Sequence, residues 1–293
     1  MLRSLLSLGR TGVNEYFIPK VNPKEDGPDC SNDCADCTIQ FPSKVKVENL
    51  RPLYGHIKEF HSHVLVATGQ SDWKEKVEKE SGSLMEAFDS AKSELGRIMV
   101  SASNINPPGD SIAEKGLTKA TTVLILPSFT YIDSVTQKDV PNLITQHIDH
   151  PTNQQSENVT VSSEGSMSAR PCELDYVILL CSHRRRDARC GITAPLIKRE
   201  LERHLRPLGL DRDSDDSRPG GVGIFFVSHV GGHKFSANVL IYRKKDQQMI
   251  WLARVRPEHC EGIVKYTVLQ GKVVHPESQL RGGFDRARGL TSW

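Results

Sequence analysis

The stretch Asp175-Tyr-Val-Ile-Leu-Leu180 is followed at once by Cys181. After its first residue it shows no alternation of apolar and polar side chains. A short run of that kind suits a strand covered on both faces, the central strand of a layered α/β sheet. Val222 to Val227 (VGIFFV) is a second such run and ends at Ser228-His229. Between them Gly191, Thr193 and Pro195 mark the start of a helix reaching about Leu205, with Ile197, Leu201 and Leu205 on one face. Asn238 to Tyr242 and Met249 to Val255 read as a third and a fourth strand, and Pro257 opens a last helix running from about Glu258 to Gln270. The order β-α-β-β-β-α is that of a thioredoxin core with its end hairpin.

The first half carries a weaker version of the same signals. His63 to Thr68 reads as a short buried strand, and Ser71-Asp72 as a helix start. Trp73 to Leu95 has Trp73, Val77, Leu84, Phe88 and Leu95 on roughly one side. Arg97 to Ser101 and Thr121 to Leu126 are further strands, Pro107-Pro108-Gly109 is a turn, and Val140 to Ile148 a short helix. Strands alternating with helices predict an α/β fold throughout, with the two halves as distant copies of one plan. The expected divisions are a leader over 1–20, a smaller or degenerate α/β domain over 21–149, and a polar linker over 150–170. A thioredoxin-like domain follows over 171–275, then a tail over 276–293.

Composition sets limits. The 293 residues suit two domains of ordinary size. With 38 basic against 36 acidic residues the net charge is +2, so there is no electrostatic case for nucleic acid as a partner. No apolar run approaches the roughly 20 residues of a membrane-spanning helix. The leader MLRSLLSLGRTG is basic, amphipathic and serine-containing, with no acid before Glu15. That is the character of a mitochondrial presequence, so the expected location is mitochondrial, in the matrix or intermembrane space, with the cytoplasm as the alternative. Seven cysteines are too few in so long a chain for a disulfide scaffold and favour metal or redox chemistry in a reducing compartment.

Cys181 and Cys190 are separated by eight residues, SHRRRDAR, and His229 and His233 by Val-Gly-Gly. Parallel strands flanking a helix commonly lie side by side, with their C-terminal ends opening onto one crevice, so the four side chains can converge. Thiolate with imidazole suits zinc and iron–sulfur alike. Eight residues exceed the two to four between the cysteines of a zinc finger and better match a larger two-iron cluster. Gly231 and Gly232 would let a tight loop turn both rings inward. Arg184, Arg185, Arg186 and Arg189 would offset negative charge. Cys181-Ser182-His183 imitates half of a Rieske motif, but Cys190 is followed by Gly-Ile-Thr, so His183 is expected to support the site and not to ligate. Cys172 and Cys260 have no partner at ligand spacing and are expected in packing.

CSHRRRDARCGITAP and SHVGGHKFSANVLIY resemble the two signature segments of the sucrase/ferredoxin-like family of thioredoxin-like [2Fe–2S] proteins. The resemblance is strong from about Asp175 to Tyr266. It implies a [2Fe–2S] cofactor ligated by Cys181, Cys190, His229 and His233. The implied role is electron transfer or thiol-redox maintenance, more that of an electron carrier than of an enzyme, with an unidentified redox donor or acceptor as partner. It also implies that the terminal Trp293 serves recognition by the iron–sulfur assembly machinery; a tryptophan docked in its own domain is the alternative. Two other functional readings remain at this point. The same four residues could hold structural zinc. Alternatively, Cys34 and Cys37, a CxxC pair with Cys30 just upstream, could act as redox thiols or a second metal clip, although Asp33 and Asp36 would raise their pKa. No Ser-His-Asp set, P-loop or paired-carboxylate site is evident.

Overall fold

The computed structural model describes residues 16–107, 120–150 and 167–293. Residues 1–15 of the presequence expected over 1–20, most of the turn at Pro107-Pro108-Gly109 and most of the linker over 150–170 lie outside these residues.

Among the described residues, twelve strands form one sheet. In chain order they are β1 (Ser62–Ala67), β2 (Ile98–Ser103), β3 (Thr121–Leu126), β4 (Thr130–Val135), β5 (Ser168–Pro171) and β6 (Tyr176–Cys181), then β7 (Asp211–Arg212), β8 (Val222–Val227), β9 (Val239–Arg243), β10 (Gln248–Leu252), β11 (Leu280–Asp285) and β12 (Leu290–Ser292). Across the sheet the order is β12-β11-β10-β9-β6-β8-β2-β1-β3-β4-β5, with β7 beside β8. The fold is α/β, as the sequence predicts.

In the second half β6 pairs parallel with β8 and antiparallel with β9, and β9 pairs antiparallel with β10. In the first half β1 pairs parallel with β2 and antiparallel with β3, and β3 pairs antiparallel with β4. Each half therefore has its second, first, third and fourth core strands side by side with the same directions. The halves meet through their second strands, where Ser103 of β2 lies antiparallel to Val227 of β8. Around that pair Ser228 N–H donates to Ala102 O at 2.9 Å, and Ala102 N–H to Ser228 Oγ at 3.0 Å.

Alternation along the strands divides the core. Ile178 and Leu180 of β6 face the helix Ala188–Leu205 with Ile197, Leu201 and Leu205. Val64 and Val66 of β1 face the helix Leu84–Ser90 with Leu84 and Phe88. The intervening residues, Leu65 and Ala67 with Val177 and Leu179, enter a common core that also holds Phe60, Leu124, Tyr242 and Trp251. The two halves are thus fused by apolar burial, each such side chain contributing about 1.5–3 kcal/mol.

Three details depart from the sequence reading. The helix expected over Trp73 to Leu95 is reduced to one turn, Val77–Lys79, and the helix Leu84–Ser90. Ser83 takes the N-cap by accepting from Glu86 N–H, and Glu86 in turn accepts from Gly82 N–H at 2.9 Å, so the helix starts there. The helix expected to begin near Gly191 and Pro195 begins at Ala188, capped by Asp187, with Pro195 inside it. Residues 276–293 do not form a simple tail, because they supply β11 and β12 at the sheet edge.

Candidate metal centre

Cys181 is the last residue of β6 and Cys190 lies in the first turn of the helix Ala188–Leu205. The intervening loop folds tightly over the helix start. A Cβ on Gly191 would lie 2.4 Å from Arg184 Cβ, so a side chain there would push the loop away. His229 leaves the end of β8, and His233 opens a short turn, His233–Phe235. The parallel pairing of β6 with β8 puts Cys181 opposite Val227, two residues from His229.

Of the four predicted side chains, the structure sets Cys181 against Cys190 and His229, and His229 beside His233. The two thiols lie side by side, and His229 lies against Cys181. The neighbouring Cys190, aided by His229, holds the Cys181 thiol well below its ordinary range in spite of burial. The Cys181 thiolate and burial push Cys190 up. The His229 and His233 rings lie 5.1 Å apart. Both Cys side chains are buried, whereas the imidazoles are partly exposed, His233 at 40%.

The Nδ1 atoms of both histidines are buried and have no hydrogen-bond partner. Two such buried, unpaired ring nitrogens are costly unless something takes up their lone pairs. A metal centre bound by two thiolates and two imidazoles fits that donor set.

His183 Nδ1 accepts from His229 N–H at 3.2 Å, and its Nε2 faces Trp73 O and Lys74 O, each at 3.0 Å. It thereby ties the His229 loop to the first half. Arg189 donates to both Asp187 oxygens at 2.9 and 2.8 Å, and Asp187 Oδ2 stands 3.8 Å from His233 Nε2. Burial lowers the His233 pKa, while the Asp187 charge opposes that shift. Gly232, at φ +75°, leaves room for Arg281, whose Nη1 would lie 2.6 Å from a Cβ there. Arg281 Nη1 donates to Gly231 O at 3.1 Å and to Asn238 Oδ1 at 3.0 Å. Ser236 Oγ lies 3.8 Å from Cys190 Sγ.

Asp187, Ser236, Asn238 and Arg281 were not singled out from the sequence. Asp187 had a signal, being the sole acid in SHRRRDAR and in N-cap position. Arg281 had none, because it reaches the loop from a strand 50 residues away.

His229 also lines a cleft of about 330 Å³ between the halves, with Glu75, Met85, Phe88, Arg97 and Arg186 on its walls. Cys172 and Cys260 are buried, as expected of packing residues. Cys30 is buried too, while Cys34 and Cys37 are partly exposed and lie away from the four-residue centre, beside the C-terminal half of the helix Ala188–Leu205. Trp293 packs on Phe60 and Phe284, with ring centroids 5.1 and 5.9 Å apart. No helix among the described residues is long and apolar enough to cross a membrane.

Fold and site together define an α/β protein of ferredoxin-like type, with a Cys/His donor set at the sheet's strand ends. The sucrase/ferredoxin-like family model matches residues 53–282, and the chain belongs to that family. Among curated relatives, actin patches distal protein 1 of Saccharomyces cerevisiae is 31% identical over 288 residues, covering 90% of this chain and 88% of that protein. Altered inheritance of mitochondria protein 32 of Meyerozyma guilliermondii is 24% identical over 257 residues, 82% of this chain and 88% of its own. The protein of that name from Clavispora lusitaniae is 43% identical over 98 residues, about a third of each. No solved structure matches.

Proposed function

We propose that this protein is a [2Fe–2S] electron carrier whose cluster is held by Cys181, Cys190, His229 and His233. The observation that carries the reading is the pair of buried, partnerless Nδ1 atoms of His229 and His233, with His229 lying against the Cys181 and Cys190 thiols. When bound, such a cluster takes up and releases one electron, and replacing thiolate by neutral imidazole raises its potential above that of plant-type ferredoxins.

The chain's own residues set the conditions. The buried cysteines keep the sulfur side dry, and the partly exposed imidazoles, with the cleft beside His229, are the side from which a redox partner approaches. Arg281 fixes the Gly231–Gly232 loop. Asp187 faces His233 Nε2, so that atom can hold a proton against a carboxylate. A midpoint potential that falls as pH rises between about pH 6 and 9 is expected, and a flat profile would contradict that role for His233.

Protein purified without oxygen should be reddish-brown and carry two irons and two sulfides per chain, and Cys181→Ser should be colourless. A colourless wild type with zinc held by these four residues would establish the structural-zinc alternative. For the thiol–disulfide alternative, burial raises both the Cys34 and Cys37 thiols, which disfavours the nucleophilic thiolate it requires. Mitochondrial association is supported by the name of the altered inheritance of mitochondria relatives. The actin-patch name of the other relative supports the cytoplasmic alternative. Fractionation of cells expressing the tagged full chain separates the two.

A further inference from the structure

We propose a second metal site, for one zinc-class divalent ion, built from Cys34, Cys37, Glu200 and His204 and separate from the Cys181/His229 centre. Glu200 and His204 stand four residues apart on one face of the helix Ala188–Leu205, and Cys34 reaches them from the Pro/Asp-rich loop. One donor atom from each of Cys34, Glu200 and His204 lies within 4.8 Å of the others. Cys37 follows Cys34 at the two-residue spacing of cysteine pairs in zinc sites, and its thiol is close enough to feel the Glu200 charge.

Two independent features indicate a cation here. Glu200 is wholly buried, and its Oε2 has no hydrogen-bond partner. A buried carboxylate oxygen left bare is costly unless a cation or a donor meets it. The second feature is Arg203. Its Nη2 lies 2.5 Å from Glu200 Oε1, 3.1 Å from His204 Nε2 and 3.5 Å from Cys34 Sγ. Three potential ligand atoms, from Glu200, His204 and Cys34, thus converge on one point. Three converging donors are what a metal ion uses.

The Arg203 side chain is 44% exposed and has room to swing outward, where it would balance the negative charge of two thiolates and a carboxylate around a divalent ion. Zinc–ligand bonds of about 2.0–2.3 Å put tetrahedral ligands roughly 3.3–3.8 Å apart, so the cluster must tighten by about 1 Å. Thiolate, imidazole and carboxylate with no open position describe a structural site. It would pin the loop carrying Cys34 to the helix that also carries Cys190, about 15 Å further along that helix. Binding replaces two thiol protons by one metal ion, and no oxidant is involved.

The test uses the reduced full chain, dialysed against zinc chloride under argon, with zinc, iron and sulfide counted on the same sample. One zinc per chain is expected beside whatever iron is present. Cys181→Ser should lose iron and keep the zinc. Cys34→Ser and the milder His204→Gln should keep the iron and weaken zinc binding by at least about tenfold, the loss that even an outer-sphere partner can cause. Cobalt(II) added to zinc-free wild type should give a thiolate-to-metal charge-transfer band that zinc abolishes, a readout that needs no variant to fold. A wild type that takes up no zinc and shows no such band overturns the proposal. So does zinc that Cys34→Ser and His204→Gln retain at full affinity.

Discussion

The two halves of the sheet share strand order, strand directions and a helix packed on the same side, yet they differ at the ends of corresponding strands. β6 ends in Cys181 and β8 runs into Ser228-His229, whereas β1 ends at Ala67-Thr68-Gly69 and β2 at Ser103-Asn104. In the first half the same positions carry ordinary hydrogen bonds: Thr68 Oγ1 donates to Ser103 O at 2.7 Å and Trp73 Nε1 to Thr68 Oγ1 at 2.9 Å. The fold therefore supplies a place where two strand ends meet, and side-chain chemistry decides whether that place can hold a metal centre. The first half has become support. Its Trp73 and Lys74 carbonyls hold His183, which holds the His229 loop.

The largest expected effect sharpens that contrast directly. Cys181→Ser or Cys190→Ser should remove the iron entirely, whereas Ala67→Ser, at the matching end of β1, should leave iron and sulfide per chain unchanged. Iron loss from Ala67→Ser in folded protein would mean the first half takes part in the centre.

Next in size is the seam between the halves. His63 of β1 is fully buried between Tyr242 Oη and Ser101 Oγ, each at 2.9 Å. Burial brings its pKa down to about 3 from an ordinary 6.5. Because the folded state holds it neutral, its contribution is intact above pH 6.5 and is lost as pH falls toward 3, by roughly 4–5 kcal/mol at most. Urea denaturation across that range should show stability falling with acid. His63→Gln, although less stable at neutral pH, should lose much of that slope, and an unchanged slope would place the acid sensitivity elsewhere.

His183→Ala should cost about 1–3 kcal/mol, because it strands the His229 N–H and unties the loop from the first half. The measurement is thermal unfolding together with the iron content; an undiminished Tm would show that the tie is dispensable. The smallest effect belongs to Asp187→Asn. It keeps a competent N-cap, so stability should change by less than about 1 kcal/mol. It removes the charge that opposes the fall of the His233 pKa, so that pKa should drop further, read by NMR of the iron-free protein. A rise would contradict the placement of Asp187 against His233.

The second half was largely legible because its signals are local. Apolar runs without alternation fixed β6 and β8, and the paired cysteines and histidines lie just after them in the chain. The first half was less so. Gly82 and Ser83 cut the expected helix to Leu84–Ser90, a decision made by a cap within an apolar periodicity that would otherwise extend it. β11 and β12 escaped notice because Leu280-Arg-Gly-Gly carries little strand propensity, and the edge of β10 supplies its partner. Asp187 could have been read from its place before the helix. Arg281, Asn238 and Ser236 could not, since their bearing on the site is set by the return of β11 and by the turn after His233. The convergence of Cys34 with Glu200 and His204 likewise depends on a loop crossing a helix 166 and 170 residues further along the chain.

Pulsed electron paramagnetic resonance of the dithionite-reduced protein tests the central claim most directly, because it counts the nitrogens bound to the reduced centre. Two strongly coupled nitrogen-14 nuclei are expected, from Nδ1 of His229 and of His233, and one should vanish in His233→Cys. A reduced two-iron signal with no strongly coupled nitrogen, or a protein that never yields such a signal, would contradict the account.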